Sequence, residues 1–323
     1  MILSIPTKIP QSNFKISHNE GLFLIGSCFS QNIGHRLKEA KFNISSNSFG
    51  TIYNPISIAE NLHRLLKVKH YDGNDIYNYK DEKLVNFSNQ SSSHKIDESA
   101  FLMKENDKLA ADILALNQSN TIILTFGTAW AYEWKETSQI VANCHKIPNT
   151  FFSKRLLTVA EIVTKYDELL NHFKTKNIVF TVSPVRHAKG GLHENNLSKS
   201  TLHLAINELM NKYENCSYFP AYEIVIDELR DYRFYKEDMI HPSDQAINYV
   251  WDKFSETYFE PSTLDLVEQI FKIKNAAAHK PFNYESIGHK QFVAKQTELI
   301  NKLKQTAPYL DFEQEISQLN QQN

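Results

Sequence analysis

The sequence predicts an α/β protein built on a mostly parallel sheet with helices on both faces. Two observations predict it. Short apolar runs end in small residues at Gly26-Ser27, Gly127-Thr128 and Ser183-Pro184, as strands buried on both faces do. Helical patterns lie between those runs, and strands alternating with helices assemble into layered parallel sheets.

Taken in order, residues 21–26 form a buried strand that leads into a turn, and residues 31–40 follow with Ile33 and Leu37 at helical spacing. Residues 71–98 break the pattern with Asp, Asn, Ser and Lys, including Ser91-Ser-Ser93, and read as an insertion or lid. A helix over 107–116 precedes a strand over 121–126, and a second over 159–173 precedes a strand over 177–182. Another helical pattern covers 244–254. Beyond about Glu260 the chain is polar and helical up to its Gln-Leu-Asn-Gln-Gln-Asn323 end, which divides it into an α/β domain over 1–262 and a C-terminal helical extension over 263–323. No internal repeat is visible. Right-handed crossovers place the C-terminal strand ends along one edge, where open α/β sheets bind their ligands.

At 323 residues, 41% hydrophobic and 22% charged, the chain matches soluble globular proteins and excludes disordered or fibrous ones. Its 35 basic and 37 acidic residues give a net charge of −2, which excludes a strongly basic nucleic-acid binder and an acidic solvating chain. Cys28, Cys144 and Cys216 are too scattered for a disulfide framework and point to a reducing compartment. Lys8, Pro6 and Pro10 interrupt the start where a leader needs an unbroken apolar stretch, and no run approaches the ~18 apolar residues of a membrane helix. The expectation is a cytoplasmic protein with neither nucleic acid nor membrane as partner, and nothing in the sequence sets an oligomeric state.

Four segments carry candidate chemistry. The first is Gly26-Ser-Cys-Phe-Ser30, where a strand meets a helix. A nucleophile at Cys28 would be exposed at the sheet edge, its thiol pKa lowered by the helix N-terminus, with backbone N–H groups available to an oxyanion. The competing reading is a small buried cysteine. The second is Asp238-Met-Ile-His241, in which the carboxylate can accept the imidazole Nδ1 proton and leave Nε2 free to take a proton from a nucleophile; the rival here is a surface loop with a helix cap.

The third segment places Asn143, Cys144 and His145 in succession, offering an oxyanion donor, a resolving thiol or metal ligands. The fourth, residues 181–187, delivers Arg186 and His187 to the same edge. Zinc on Cys28, Cys144, His145, His187 and His241 is an alternative, but no Cys-x-x-Cys or His-x-x-x-His spacing supports it, so neither a metal nor another cofactor is assigned. The aromatics Tyr222, Tyr232, Phe234 and Tyr235 read as packing, and residues 227–233 as a salt-bridged stretch.

Gly26-Ser-Cys-Phe-Ser30 resembles the signature of the GSCFA family. Residues 49–58, 125–130, 141–148, 181–187, 196–199, 218–223 and 229–243 resemble its other blocks, together covering roughly residues 20–260. The family is similar to the SGNH or GDSL-like hydrolases, which implies a flavodoxin-like, three-layer α/β/α sandwich. The resemblance puts Cys28 in the nucleophile position, with Ser27 in place of the usual aspartate and as the rival nucleophile, and gives Asp238 and His241 the remaining triad roles. It implies that Gly50 helps bind the oxyanion through its N–H. Gly127-Thr-Ala-Trp130 stands where Gly-x-Asn-Asp is expected, leaving Thr128 or Asn143 to replace the missing asparagine.

The activity implied is that of an ester hydrolase or acyltransferase, acting on a carbohydrate-type or other small acyl ester or taking a separate acyl donor, through an acyl group on Cys28. The alternatives are a non-catalytic carbohydrate- or ligand-binding module and a zinc-dependent hydrolase.

Overall fold

Strand β1 (Gly21–Gly26) is buried at every position and enters helix α1 (Cys28–Glu39) through Ser27 alone. The computed structural model describes residues 5–94, 97–284 and 286–321. α1 starts at Cys28, ahead of the predicted Gln31, because Ser27 takes the N-cap place with an extended backbone and no side-chain cap. Next come β2 (Ile44–Ser46) and α2 (Pro55–Leu66), whose first turn is fixed by proline and by Asn54 accepting the Ser57 N–H at 2.8 Å.

Residues 71–98, expected as an insertion or lid, carry an antiparallel meander of β3 (Ile76–Tyr79), β4 (Lys83–Asn86) and β5 (Ser92–Ser93). The long α3 (Glu98–Gln118) leads to β6 (Ser119–Phe126). Strands β7 (Trp130–Trp134), β8 (Gln139–Val141) and β9 (Phe152–Leu156) form a second small antiparallel sheet. The two small sheets share an aromatic cluster in which Tyr77, Phe87, Trp134 and Phe152 pack together.

Helix α4 (Val159–His172), started by a Thr158/Glu161 capping box, precedes β10 (Asn177–Val182). Then follow α5 (Leu192–Lys212), β11 (Cys216–Phe219), and the short α6 (Ala221–Glu223), which runs into a π-helical turn. Helices α7 (Asp244–Tyr258), α8 (Pro261–Ala278), α9 (Ile287–Thr306) and α10 (Glu313–Asn320) complete the chain.

The central sheet has five strands in the order β11-β10-β6-β1-β2, every pairing parallel. Numbered among themselves these strands run 2-1-3-4-5, the flavodoxin-like order, and the order reverses between β1 and β6. Alternate residues face opposite layers. Phe23, Ile25, Ile122, Leu124 and Phe180 pack beneath α2, α3, α4 and α5, whereas Leu22, Leu24, Ile123 and Val179 pack beneath α1 and α7. The result is a three-layer α/β/α sandwich. Helices α8, α9 and α10 gather around Ile270, Ile273, Ile300 and Phe312, and Lys41 ties α10 to the end of α1 through Glu315 at 3.0 Å. Among the described residues no helix is long and apolar enough to cross a membrane.

Gly26 is where glycine is obligatory, because at φ +149° a Cβ there would lie 2.2 Å from the Thr125 carbonyl oxygen. Gly26→Ala therefore has to part β1 from β6, at a cost of at least ~2 kcal/mol. Chemical denaturation is expected to show this as a lower midpoint with unchanged slope.

Candidate active site at the sheet edge

The β1–α1 turn is pinned from both neighbouring strands. The Ser27 N–H donates to Thr125 O at 3.1 Å and the Gly26 N–H to Asn47 Oδ1 at 2.9 Å, while Asn47 Nδ2 donates back to Ser27 O at 3.4 Å. This turns the Ser27 hydroxyl inward, where the residue is 1% exposed and the hydroxyl has no hydrogen-bond partner among the described residues. Cys28 is half-buried at the first position of α1, where N–H groups have no partner within the helix.

The N–H groups of Cys28 and Phe29 and the charge of Lys199 all favour the Cys28 thiolate, yet desolvation outweighs them and the thiol pKa lies above its ordinary value. The lowering expected from the helix N-terminus is present but is not the larger effect. Tyr53 stands close enough for a Cys28 thiolate to disfavour its ionisation, and its carbonyl accepts the Gly127 and Thr128 N–H groups at 2.8 and 3.0 Å.

Lys199 escaped the sequence reading as a site residue. Its side chain is 2% exposed and donates to Gly127 O at 2.6 Å and Ser183 O at 2.7 Å, the carbonyls just beyond β6 and β10. Burial pushes its ammonium down to about 7, opposed by Cys28. The signal was available: Asn195, Ser198, Lys199, Leu202, Ala205, Ile206 and Leu209 form the buried stripe of α5, and a lysine within such a stripe is anomalous.

Asp238 and His241 meet as their spacing predicts, with Nδ1 to Oδ2 at 2.6 Å, while the N–H groups of Ile240 and His241 each donate to Oδ1 at 2.9 Å. These donors hold the Asp238 carboxyl down at about 2. The side chains of the pair are 47% and 46% exposed, and among the described residues no hydrogen bond or ion pair joins His241 to Cys28. Arg186 links the loop of this exposed pair to the interior. Its guanidinium sits 5.3 Å from the Tyr235 ring centre, and Tyr235 bridges to Pro242. The charge of Arg186 also reaches Tyr222, whose ring centre is 5.7 Å from Lys199 Nζ.

The residues of one contiguous family model, described as GSCFA family, run from 21 to 254. The chain belongs to the GSCFA family. A second model, described as GSCFA domain protein, C-terminal domain, matches residues 270–323. Comparison with curated proteins and with solved structures returns no match.

In this GSCFA chain the remaining predicted residues do not all converge on Cys28. The Gly50 N–H, expected to hold an oxyanion, donates instead to Asn47 O at 2.7 Å, closing the turn that fixes Asn47. The Thr128 hydroxyl is engaged with Ser198 Oγ at 2.9 Å and the Trp130 N–H at 3.1 Å. Asn143 caps its own loop by accepting the His145 N–H at 2.7 Å. His145 is buried beside Phe87, its Nε2 2.8 Å from Asn86 O, and burial lowers its pKa. Cys144 joins that aromatic cluster, its thiol pushed up to about 11 by burial. His187 does lie on the sheet edge, its N–H held by Asn195 Oδ1 at 2.9 Å, its pKa lowered by burial and by Lys154 and Lys199. Among the described residues no three His, Cys, Asp or Glu side chains gather in a metal-holding group.

Because the Asp238 pKa is depressed, whatever the pair contributes to loop order is present above the ordinary carboxylate range and is lost as pH falls through about 2. Carboxyl NMR is expected to find that midpoint, and Asp238→Ala to accelerate hydrogen exchange at the Ile240 and His241 amides.

Proposed function

We propose that this GSCFA chain is an acyl-transfer enzyme, a hydrolase or acyltransferase, that forms a thioester on Cys28. One observation carries the reading: Cys28 opens α1 at the reversal point of the sheet, with its sulfur served by the Cys28 and Phe29 N–H groups. The same N–H groups suit the oxyanion formed when sulfur attacks an ester carbonyl. Carbon–sulfur bond formation and expulsion of the alkoxide yield the acyl-enzyme, and water or a sugar hydroxyl then attacks the thioester and releases the thiolate.

His241, oriented by Asp238, is the proton carrier for the leaving and accepting oxygens. Its exposure suits exchange with an incoming hydroxyl, and contact with the reacting centre is made when substrate fills the space between imidazole and thiol. The strand order and the placement of Cys28, Asp238 and His241 support kinship with the SGNH or GDSL-like hydrolases, and a small or carbohydrate-type acyl ester as substrate. The free thiols suit a reducing, cytoplasmic location.

A ligand-binding module is the second reading, and it is favoured by one specific observation: the Gly50 N–H is spent on Asn47 O. Incubation with 4-nitrophenyl acetate separates the two. Mass spectrometry is expected to find an acetyl group on Cys28, and Cys28→Ala to lose at least ~10³-fold in turnover while keeping its fold. Unchanged turnover in Cys28→Ala, or an unmodified Cys28 in the wild type, would favour the binding module.

A further inference from the structure

Lys199 is a buried cation with no acidic partner among the described residues. The residue is 2% exposed, its amino group is bonded to Gly127 O and Ser183 O, and among the described residues no carboxylate pairs with it. Burying an unpaired ammonium is costly, and two strand-end carbonyls would be served as well by a neutral donor. A neutral amine has two N–H groups, and with both donated its lone pair remains. The charge of Cys28 opposes the depression of Lys199 and the charge of Lys199 favours the Cys28 thiolate, while Lys199 also depresses His187 and His203, lies 5.7 Å from the Tyr222 ring centre, and Cys28 acts on Tyr53 as well. The backbone agrees, since Gly127, whose carbonyl holds Nζ, abuts the residue before Cys28: a Cβ placed on Gly127 would lie 3.2 Å from the Ser27 Cβ.

We propose that Lys199 is the base that takes the proton of Cys28, with Gly127 O and Ser183 O holding the amine in its neutral, two-donor form. This rests on the acyl-transfer reading of Cys28 and assigns thiol activation to Lys199, leaving His241 to serve the oxygens. The S–H bond breaks as an N–H bond forms on Nζ, giving a thiolate and an ammonium. The thiolate attacks the acyl carbon, the departing alkoxide takes a proton from protonated His241, and the acceptor hydroxyl returns one to it. Release of the thiolate restores the sulfur–ammonium pair, from which the thiol re-forms.

The amine depressed to about 7 is half-neutral near neutral pH, the range in which a general base works best. The burial that depresses it also raises the thiol.

The test is the pH dependence of Cys28 alkylation by iodoacetamide, read by mass spectrometry in the full chain. In the wild type the rate is expected to rise with a midpoint near that of Lys199. In Lys199→Met the rise moves above the ordinary thiol range, and alkylation at neutral pH falls about tenfold or more. His241→Ala is expected to keep the wild-type profile. A folded Lys199→Met with an unmoved profile, or a shift in His241→Ala instead, would overturn the proposal.

Methionine leaves two buried carbonyls without a donor, so a second measurement leaves Lys199 in place. Carbon-13 NMR titration of lysine Cε in the wild type and in Cys28→Asp is expected to show a higher Lys199 midpoint when residue 28 carries a carboxylate, and identical midpoints would refute the coupling. Neither readout requires turnover. Loss of the acyl-transfer reading would show as unacetylated Cys28 with the alkylation coupling intact, whereas loss of the Lys199 proposal would show as acetylated Cys28 without the coupling.

Discussion

The Cys28 site hangs on the approach of Gly26 to Thr125. β1 and β6 converge so tightly at their C-terminal ends that no side chain fits at position 26, and the next N–H, that of Ser27, is bonded to the Thr125 carbonyl. After Ser27 the chain turns at once into α1, whose first residue is Cys28. On the facing strand the same approach brings Gly127 against Ser27, and the Gly127 carbonyl receives the Lys199 amine. Thiol and amine are thus positioned by one backbone contact at the place where the strand order reverses.

Desolvation acts on those two groups in opposite directions. Ordinarily a thiol at 9.0 releases its proton before an ammonium at 10.5, so a cysteine beside a lysine would rest as thiolate and ammonium. Burial raises the thiol and brings the amine down to about 7, which inverts the order and makes the neutral pair the resting form near and above neutral pH. A neutral pair avoids holding two charges in a poorly solvated place, and on the proposal made for Lys199 the thiolate appears when the proton passes to the amine. The helix N-terminus contributes by lowering the cost of the charged sulfur once it forms.

The central strands were legible because burial on both faces leaves unbroken apolar runs, as over 121–126 and 177–182. β7, β8 and β9 were not. They are three to five residues long and buried on one side against aromatic residues, so they lack the unbroken apolar runs of the central strands. The Asp238–His241 contact was legible because it is local and carried by backbone turns within the same few residues. The fate of the Gly50 N–H was not, since it depends on the left-handed backbone of Asn47, at φ 47°, and on the turn that residue begins. Lys199 lay between these cases. No helix is assigned over 192–212 from sequence, although Lys199 falls on the buried stripe of α5, and the carbonyls that receive it come from strands far away in sequence.

The arrangement separates two kinds of proton chemistry by depth. Cys28 and Lys199 sit where burial tunes them to each other, while Asp238 keeps its charge down to about 2 because backbone N–H groups and the imidazole all point at it, an arrangement that works in full contact with water. Between them, Arg186 lies against Tyr235 and reaches Tyr222, joining the loop after β10 to the loop that carries His241. On the acyl-transfer reading this order follows the reaction. The sulfur must be activated out of water to stay basic and selective, whereas the leaving and accepting oxygens come from a substrate that enters and departs through solvent. A single proton carrier would have to meet both conditions, and a buried amine with an exposed imidazole meets them separately.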